Sequence, residues 1–323
     1  MTPQYAPLLA PFVTLLVTTI LLYGKVGKEV PQEPLANAPV PRIGGVGLMA
    51  GIFTAAALML SSLAWWMALP LLGLFAVAMV EETRGLPVKL RLLAHVAAAC
   101  VVVFGSGLAQ QNIIFALLVV FAVIWMINLY DLMDGPDGLA GGMTFFGFTM
   151  YGLAALMRED HIQALLNFSI GSAALGFLYY NFFPAKVHMG RVGAIPLGFM
   201  AGAMGVWGWQ QGHWPAWFPF LVFSPFIVDA SVTVLKRMLS REKPWLFGAA
   251  TYFQRLRQLG WEPPYVALLG YALMAGAGIS AVWAMRRSAE FPWEIFLLWS
   301  VIYALLMLAL DQRWKIFLRN SHS

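Results

Sequence analysis

Long apolar runs recur along the chain and are separated by short stretches carrying most of its charged residues and many of its prolines and glycines. The runs fall at about 7–23, 44–60, 64–80, 90–108, 113–132, 139–157, 164–183, 192–209, 214–235, 264–283 and 293–310. Each has about 17 or more residues, enough for an α-helix to cross the hydrocarbon core of a bilayer. The pattern predicts an all-α integral membrane protein of about 10–11 transmembrane helices, organised as a single polytopic membrane domain over 1–323. Pro70 interrupts the third run, and the eighth is glycine-rich and carries Pro196. Neither forbids a span, because neighbouring helices can satisfy the backbone groups that such residues free. No fixed repeat, heptad series or low-complexity tract is visible.

Composition agrees with lipid as the main solvent. Of the residues, 60% are apolar and 11% charged, too few charges for an ordinary globular surface. The net charge of +5 is spread over short loops instead of forming one basic patch, which argues against a nucleic-acid partner. Threading the chain through eleven spans places 17 of the 20 Lys and Arg in one set of alternate loops, leaving Arg158, Arg286 and Arg287 in the other. The positive-inside rule assigns the first set to the cytoplasm. The first run has no basic flank before it and no small-residue cleavage site after it, while Lys25 and Lys28 follow it. It reads as a retained span with the N-terminus outside and the C-terminus cytoplasmic, in a bacterial-type inner (plasma) membrane. Trp65, Trp66, Trp209, Trp214, Trp217 and Trp293 then fall at the opposite interface as an aromatic belt. The insertion at about 236–263 has the spacing of a cytoplasmic interfacial helix around Tyr252, Phe253, Arg255, Leu256 and Leu259, although a basic loop that only fixes topology reads the same way. Cys100, the single cysteine, lies in an apolar run and reads as a packing residue.

Chemistry concentrates at the basic face. The segment from Asn128 to Gly142 places Asp131, Asp134 and Asp137 at one helix end, where each carboxylate raises its neighbours' affinity for protons unless a cation or hydrogen-bond donors intervene. A divalent metal or a basic ligand fits that need, as does a solvated loop of helix-capping aspartates. Glu81 and Glu82 end the third span on the same face, followed by Arg84, Lys89 and Arg91. A junction of His188, Gly190, Arg191 and Gly193 joins the seventh and eighth spans there too. Asp229 lies near the basic end of the ninth, where an ionisable group is costly and often functional. This convergence favours a substrate site. Among the histidines, His95 sits in an apolar helix and is expected to bond a neighbouring helix, while His161 and His213 lie on the other side.

These residues resemble the polyprenyl-phosphate glycosyl-1-phosphate transferases, glycosyltransferase family 4, which include phospho-N-acetylmuramoyl-pentapeptide transferase. The segment from Asn128 to Gly142 is similar to the family's Asn-x-x-Asn-x-x-Asp-Gly-x-Asp-Gly-Leu signature. Supporting elements are Pro41 to Gly45, Arg84 to Pro87, Met189 to Gly193, Ser224 to Asp229 and Gln254 to Leu256. The resemblance implies transfer of an N-acetylated sugar 1-phosphate from a UDP-sugar to polyprenyl phosphate with release of UMP, and Mg²⁺ to neutralise the diphosphate. It implies catalytic roles for Glu81, Glu82, Asp134 and Asp137, and metal contacts from Glu82 and Asp131. It implies substrate contacts from Asn128, Asp131, Arg191, Asp229, Arg255 and Arg257, the last two as candidates for lipid phosphate. Expected partners are the membrane lipid, a UDP-N-acetylhexosamine and a second copy of the chain as a homodimer.

Several positions depart from the family pattern. Its paired aspartates after the third span are Glu81 and Glu82 here, and its second signature asparagine is Asp131. The aspartate of its Gly-Asp-x-Gly-Ser element, a metal ligand, is Arg191. The histidines expected before Tyr252 are Gly248 and Thr251, and the polar residues usual between the first two spans differ around Gln32 to Asn37. An arginine has no acceptor and stays protonated, so it cannot ligate Mg²⁺. Two readings follow: a transferase in which Arg191 acts as a substitute cation, or a pseudoenzyme that keeps lipid-phosphate or nucleotide binding. A membrane transporter is a third, though it would place its ionisable groups at the midplane of broken helices.

Overall fold

The computed structural model describes residues 3–25, 29–30, 40–59, 63–240, 251–287 and 290–321. The positions at Lys28, Gln32 to Asn37 and Gly248, and the part of the 236–263 insertion from 241 to 250, lie outside the described residues.

The protein is an all-α membrane protein. In chain order its helices are α1 (Ala6–Tyr23), α2 (Gly44–Ala57), α3 (Trp65–Arg84), α4 (Val88–Gly105), α5 (Leu108–Gln111), α6 (Ile113–Met133) and α7 (Leu139–Leu156). They continue as α8 (His161–Asn181), α9 (Gly190–Gln210), α10 (Phe218–Val222), α11 (Ser224–Leu239), α12 (Tyr252–Gln258), α13 (Pro263–Arg287) and α14 (Trp293–Ser321). A two-residue antiparallel ladder pairs β1 (Glu29–Val30) with β2 (Val40–Pro41) ahead of α2. Among the described residues, nine helices are long and apolar enough to cross a membrane.

Two of the expected spans take another form. The second is the 14-residue α2, too short to cross unaided. The ninth is interrupted at Phe223, so that α10 and α11 meet at a break, where Ser224 Oγ bonds the Leu221 carbonyl and Tyr303 Oη. The last run extends well past 310, carrying Arg313, Lys315 and Arg319 on helix instead of loop.

Local chemistry explains several boundaries. Asn112 starts α6 by accepting the Ile114 and Phe115 N–H groups, and Asp160 starts α8 by accepting that of Gln163. Thr251 and Gln254 form a reciprocal capping box on α12. In the bundle, α9 is central and largely buried, whereas α14 is at the rim and largely exposed. Close backbone approach brings α9 to its neighbours. A Cβ on Gly198 would lie 2.6 Å from the Ile127 Cα of α6, and one on Gly45 would lie 2.4 Å from the Gly193 nitrogen. Glycine thus sets the spacing of α2 and α6 against α9.

The aromatic belt is only partly a belt. Trp65 and Trp293 are exposed, but Trp66, Trp214 and Trp217 are buried in the core, Trp214 stacked at 4.8 Å on Tyr151 and donating to the Gly205 carbonyl. His95 also corrects expectation: it is buried, and neither ring nitrogen has a hydrogen-bond partner among the described residues.

Candidate active site at the charged face

Alternation of the helices brings the N-termini of α2, α4, α7 and α9 together with the C-termini of α3, α6 and α8. Glu81 and Glu82 arrive on the last turn of α3, Arg91 on the first turn of α4, and Asp131 and Asp134 at the end of α6. Gly190, with φ of +66°, turns the chain into α9 and presents Arg191 to them.

The centre of the cluster is an ion network. Glu81 Oε1 lies 2.8 Å from Arg191 Nη1 and 3.0 Å from Arg91 Nη1. Arg191 Nε donates to Asp131 Oδ1 at 3.3 Å, and Arg91 Nη1 lies 3.6 Å from Asp131 Oδ2. Glu82 Oε2 accepts the Arg191 backbone N–H at 3.2 Å, and its Oε1 stands 4.0 Å from the half-exposed Arg42. Asp134 Oδ2 accepts the Gly190 N–H at 2.7 Å. Its burial and the neighbouring Asp131 charge push its pKa up to about 7, against the pull of Arg42 and of that N–H. Asp137 accepts the Ala185 N–H at 3.2 Å, and Asn181 holds the same loop through the Gly138 N–H and the Val187 carbonyl. His188, close to both Asp137 and Arg42, is lowered from its ordinary pKa chiefly by burial.

Residues 64–208, which span α3 to most of α9 and hold the acidic cluster, match the family model for glycosyl transferase family 4. The chain is 26% identical over 192 residues to a probable undecaprenyl-phosphate N-acetylglucosaminyl 1-phosphate transferase of Bacillus subtilis, covering 58% of this chain and 53% of the relative. It is 24% identical over 314 residues to a phospho-N-acetylmuramoyl-pentapeptide-transferase of Chloroflexus aggregans, covering 82% and 84%. A protein of the same name from Listeria monocytogenes is 31% identical over 121 residues, 36% of each chain. The match thus spans about half the length of the Bacillus relative and most of the Chloroflexus one.

The family segment contains Glu81, Glu82, Asn128, Asp131, Asp134, Asp137 and Arg191, and all but Asn128 have side chains engaged at this face. Asn128 donates to the Ile124 carbonyl one turn back along α6. The other expected site residues belong to a second cluster. Asp229 accepts the Tyr252 and Phe253 N–H groups at 2.7 and 3.2 Å and the Thr233 hydroxyl at 3.2 Å, so it moors the N-terminus of α12. Both oxygens of its carboxylate accept backbone N–H groups of α12. Arg255 pairs with Asp311 of α14 at 3.1 Å and lies over the Tyr252 and Trp314 rings. Lys236 also pairs with Asp311. Arg257 keeps a buried Nε without a partner among the described residues. The expected interfacial helix is thus a docked one, with Tyr252, Phe253 and Leu256 buried. It still touches the site, because Gln254 Nε2 would lie 3.1 Å from a Cβ on Gly135, next to Asp134.

Sequence reasoning passed over Arg91, Arg42 and Asp311 as site residues. Their positions at basic-face helix ends were the available signal, but for the arginines topology alone accounted for the charge. The residues present do not fit the magnesium ion that the resemblance implies. Mg²⁺ takes oxygen ligands at close to 2.1 Å in octahedral array, whereas guanidinium groups face Glu81 Oε1 and both oxygens of Asp131. Among the described residues, no group of three or more His, Cys, Asp or Glu side chains is arranged to hold a metal.

Proposed function

We propose that the chain binds a polyprenyl phosphate and a UDP-linked N-acetylated sugar at this face and transfers the sugar 1-phosphate to the lipid, releasing UMP. A lipid phosphate oxygen attacks the β-phosphorus of the nucleotide sugar. That P–O bond forms as the bond from the β-phosphorus to the bridging oxygen breaks, and UMP leaves with the bridging oxygen. The observation that carries the reading is the convergence of Glu81, Glu82, Asp131, Asp134 and Asp137 at helix ends, within or bordering the family segment's signature, at the membrane edge where a lipid phosphate and a soluble nucleotide can meet. Asp134, titrating near neutrality, is suited to take a proton from the lipid monophosphate, whose second ionisation also lies near neutrality. The excess of Lys and Arg on this face supports a cytoplasmic site. The names of the relatives support a polyprenyl-phosphate acceptor and an N-acetylated sugar 1-phosphate as the group transferred.

A second reading, binding without turnover, is favoured by Arg191, whose guanidinium neutralises the carboxylates that would otherwise meet a cation. One assay separates the two. Purified protein is given UDP-N-acetylhexosamines and polyprenyl phosphate, with Mg²⁺ or EDTA, and UMP is measured beside an Arg191→Asp variant. Lipid-dependent UMP release by the wild type establishes the transferase. Silence in the wild type with release by Arg191→Asp supports the binding reading, and silence in both, with radiolabelled lipid phosphate failing to bind, removes both.

A further inference from the structure

We propose that Arg91 and Arg191 form a double guanidinium clamp on Glu81 and Asp131 that stands in place of a divalent cation and makes the charged face of this chain independent of metal. Each of the four groups comes from a different helix: Glu81 from α3, Arg91 from α4, Asp131 from α6 and Arg191 from α9. Glu81 Oε1 receives both arginines, at 2.8 and 3.0 Å, and Asp131 meets both, at 3.3 and 3.6 Å. Two positive charges therefore answer two negative ones, and the four ion pairs brace four helices at their ends.

Neither cation can withdraw by losing its proton, since a guanidinium stays charged at any pH the fold survives. Nor is Arg191 free to swing away at its root. The carboxylates of Glu82 and Asp134 accept its own backbone N–H and that of Gly190, at 3.2 and 2.7 Å, which pins the first residues of α9. The side chain of Glu81 is only 3% exposed, so an ion that reached it would have to shed its water. A divalent cation approaching Glu81 and Asp131 would have to displace two fixed charges of its own sign. An aspartate at 191 would reverse this, adding a third oxygen ligand and removing one of the two cations.

The clamp rests on this chain's own geometry, and the family reading enters only through the metal it would lead one to expect. The test uses full-length protein in detergent, with Mn²⁺ as the paramagnetic probe and thermal unfolding in EDTA or MgCl₂. The wild type is expected to show the same midpoint in EDTA and in Mg²⁺ and to immobilise no Mn²⁺, whereas Arg191→Asp binds Mn²⁺ saturably and gains thermal stability with Mg²⁺. Saturable Mn²⁺ binding by the wild type that Glu81→Gln abolishes would overturn the clamp while leaving the transferase reading standing. Absence of UMP release would do the reverse. Should Arg191→Asp not fold, Arg191→Gln and Glu81→Gln serve instead. The double variant is expected to recover most of the midpoint lost by either single one, and strictly additive losses refute the clamp.

Discussion

Asp134 is held between opposing influences. The Gly190 N–H at 2.7 Å and the Arg42 charge favour its ionised form, while burial and the Asp131 charge resist it, and the balance lies near 7 instead of 3.8. Its folded pKa is raised, so below about pH 4 both folded and unfolded states hold the proton and the group is neutral in its effect. Between 3.8 and about 7 the unfolded chain gives up the proton while the folded one keeps it, and stability falls as pH rises through that window. Asp134→Asn keeps an acceptor for Gly190 and removes the titration. It is expected to gain on the wild type between pH 4 and pH 8, by up to about 4 kcal/mol, with little further gain above pH 8. Thermal midpoints across that range check it, and parallel curves for the two proteins would count against it. Asp229 makes the opposite kind of prediction, because its carboxylate serves backbone. Asp229→Ala strands two buried N–H groups of α12, a cost of about 1–3 kcal/mol for each. Faster proteolysis near Tyr252 than in the wild type is the expected readout.

At the scale of elements, legibility followed the physics that produced each feature. Long apolar runs fix spans, so α3, α4, α6, α7, α8, α9 and α13 lie where the hydrophobic pattern puts them. The break at Phe223 had no such signature, since Pro225 is tolerated both in spans and in first turns. The burial of Trp66, Trp214 and Trp217 was hidden too: an interfacial tryptophan and a core tryptophan at a helix end have the same neighbours in sequence. Acidic residues could be gathered onto one face by parity of the spans, but not sorted by partner. Parity cannot tell that Asp229 faces α12 while Asp131 faces Arg191. Glycine spacing is a further feature visible only in the folded chain. Gly198 sits against the Ile127 backbone, one turn from Asp131 along α6, and a larger side chain there must push α6 from α9. Gly198→Leu is expected to cost on the order of 1–3 kcal/mol and to lengthen the Asp131 to Arg191 contact. A lowered thermal midpoint together with loss of substrate binding would bear this out. Normal binding at a lowered midpoint would separate packing from site.

Across the whole molecule, the charges describe an orientation. Arg42, Arg84, Lys89, Arg91, Lys186, Arg191, Lys236, Arg255 and Arg257, with Arg313, Lys315 and Arg319 on the C-terminal part of α14, all lie toward the face that bears the acidic cluster. Arg158, Arg286 and Arg287 lie at the other end, where His213 pairs with Asp160 at 3.2 Å. Carboxylates weigh little in this bias, so the acidic cluster does not cancel it. The expected arrangement is the site in the cytoplasm and Arg158 outside. It can be read with single-cysteine variants in a Cys100→Ser background, since Arg84 and Arg158 are both solvent-accessible or nearly so at opposite ends of the bundle. In intact cells a membrane-impermeant thiol reagent should label Arg158→Cys and spare Arg84→Cys until the membrane is opened. Labelling in the reverse order would place the acidic face outside, away from a cytoplasmic nucleotide sugar, and would weigh against the transferase reading more heavily than any single variant in the site.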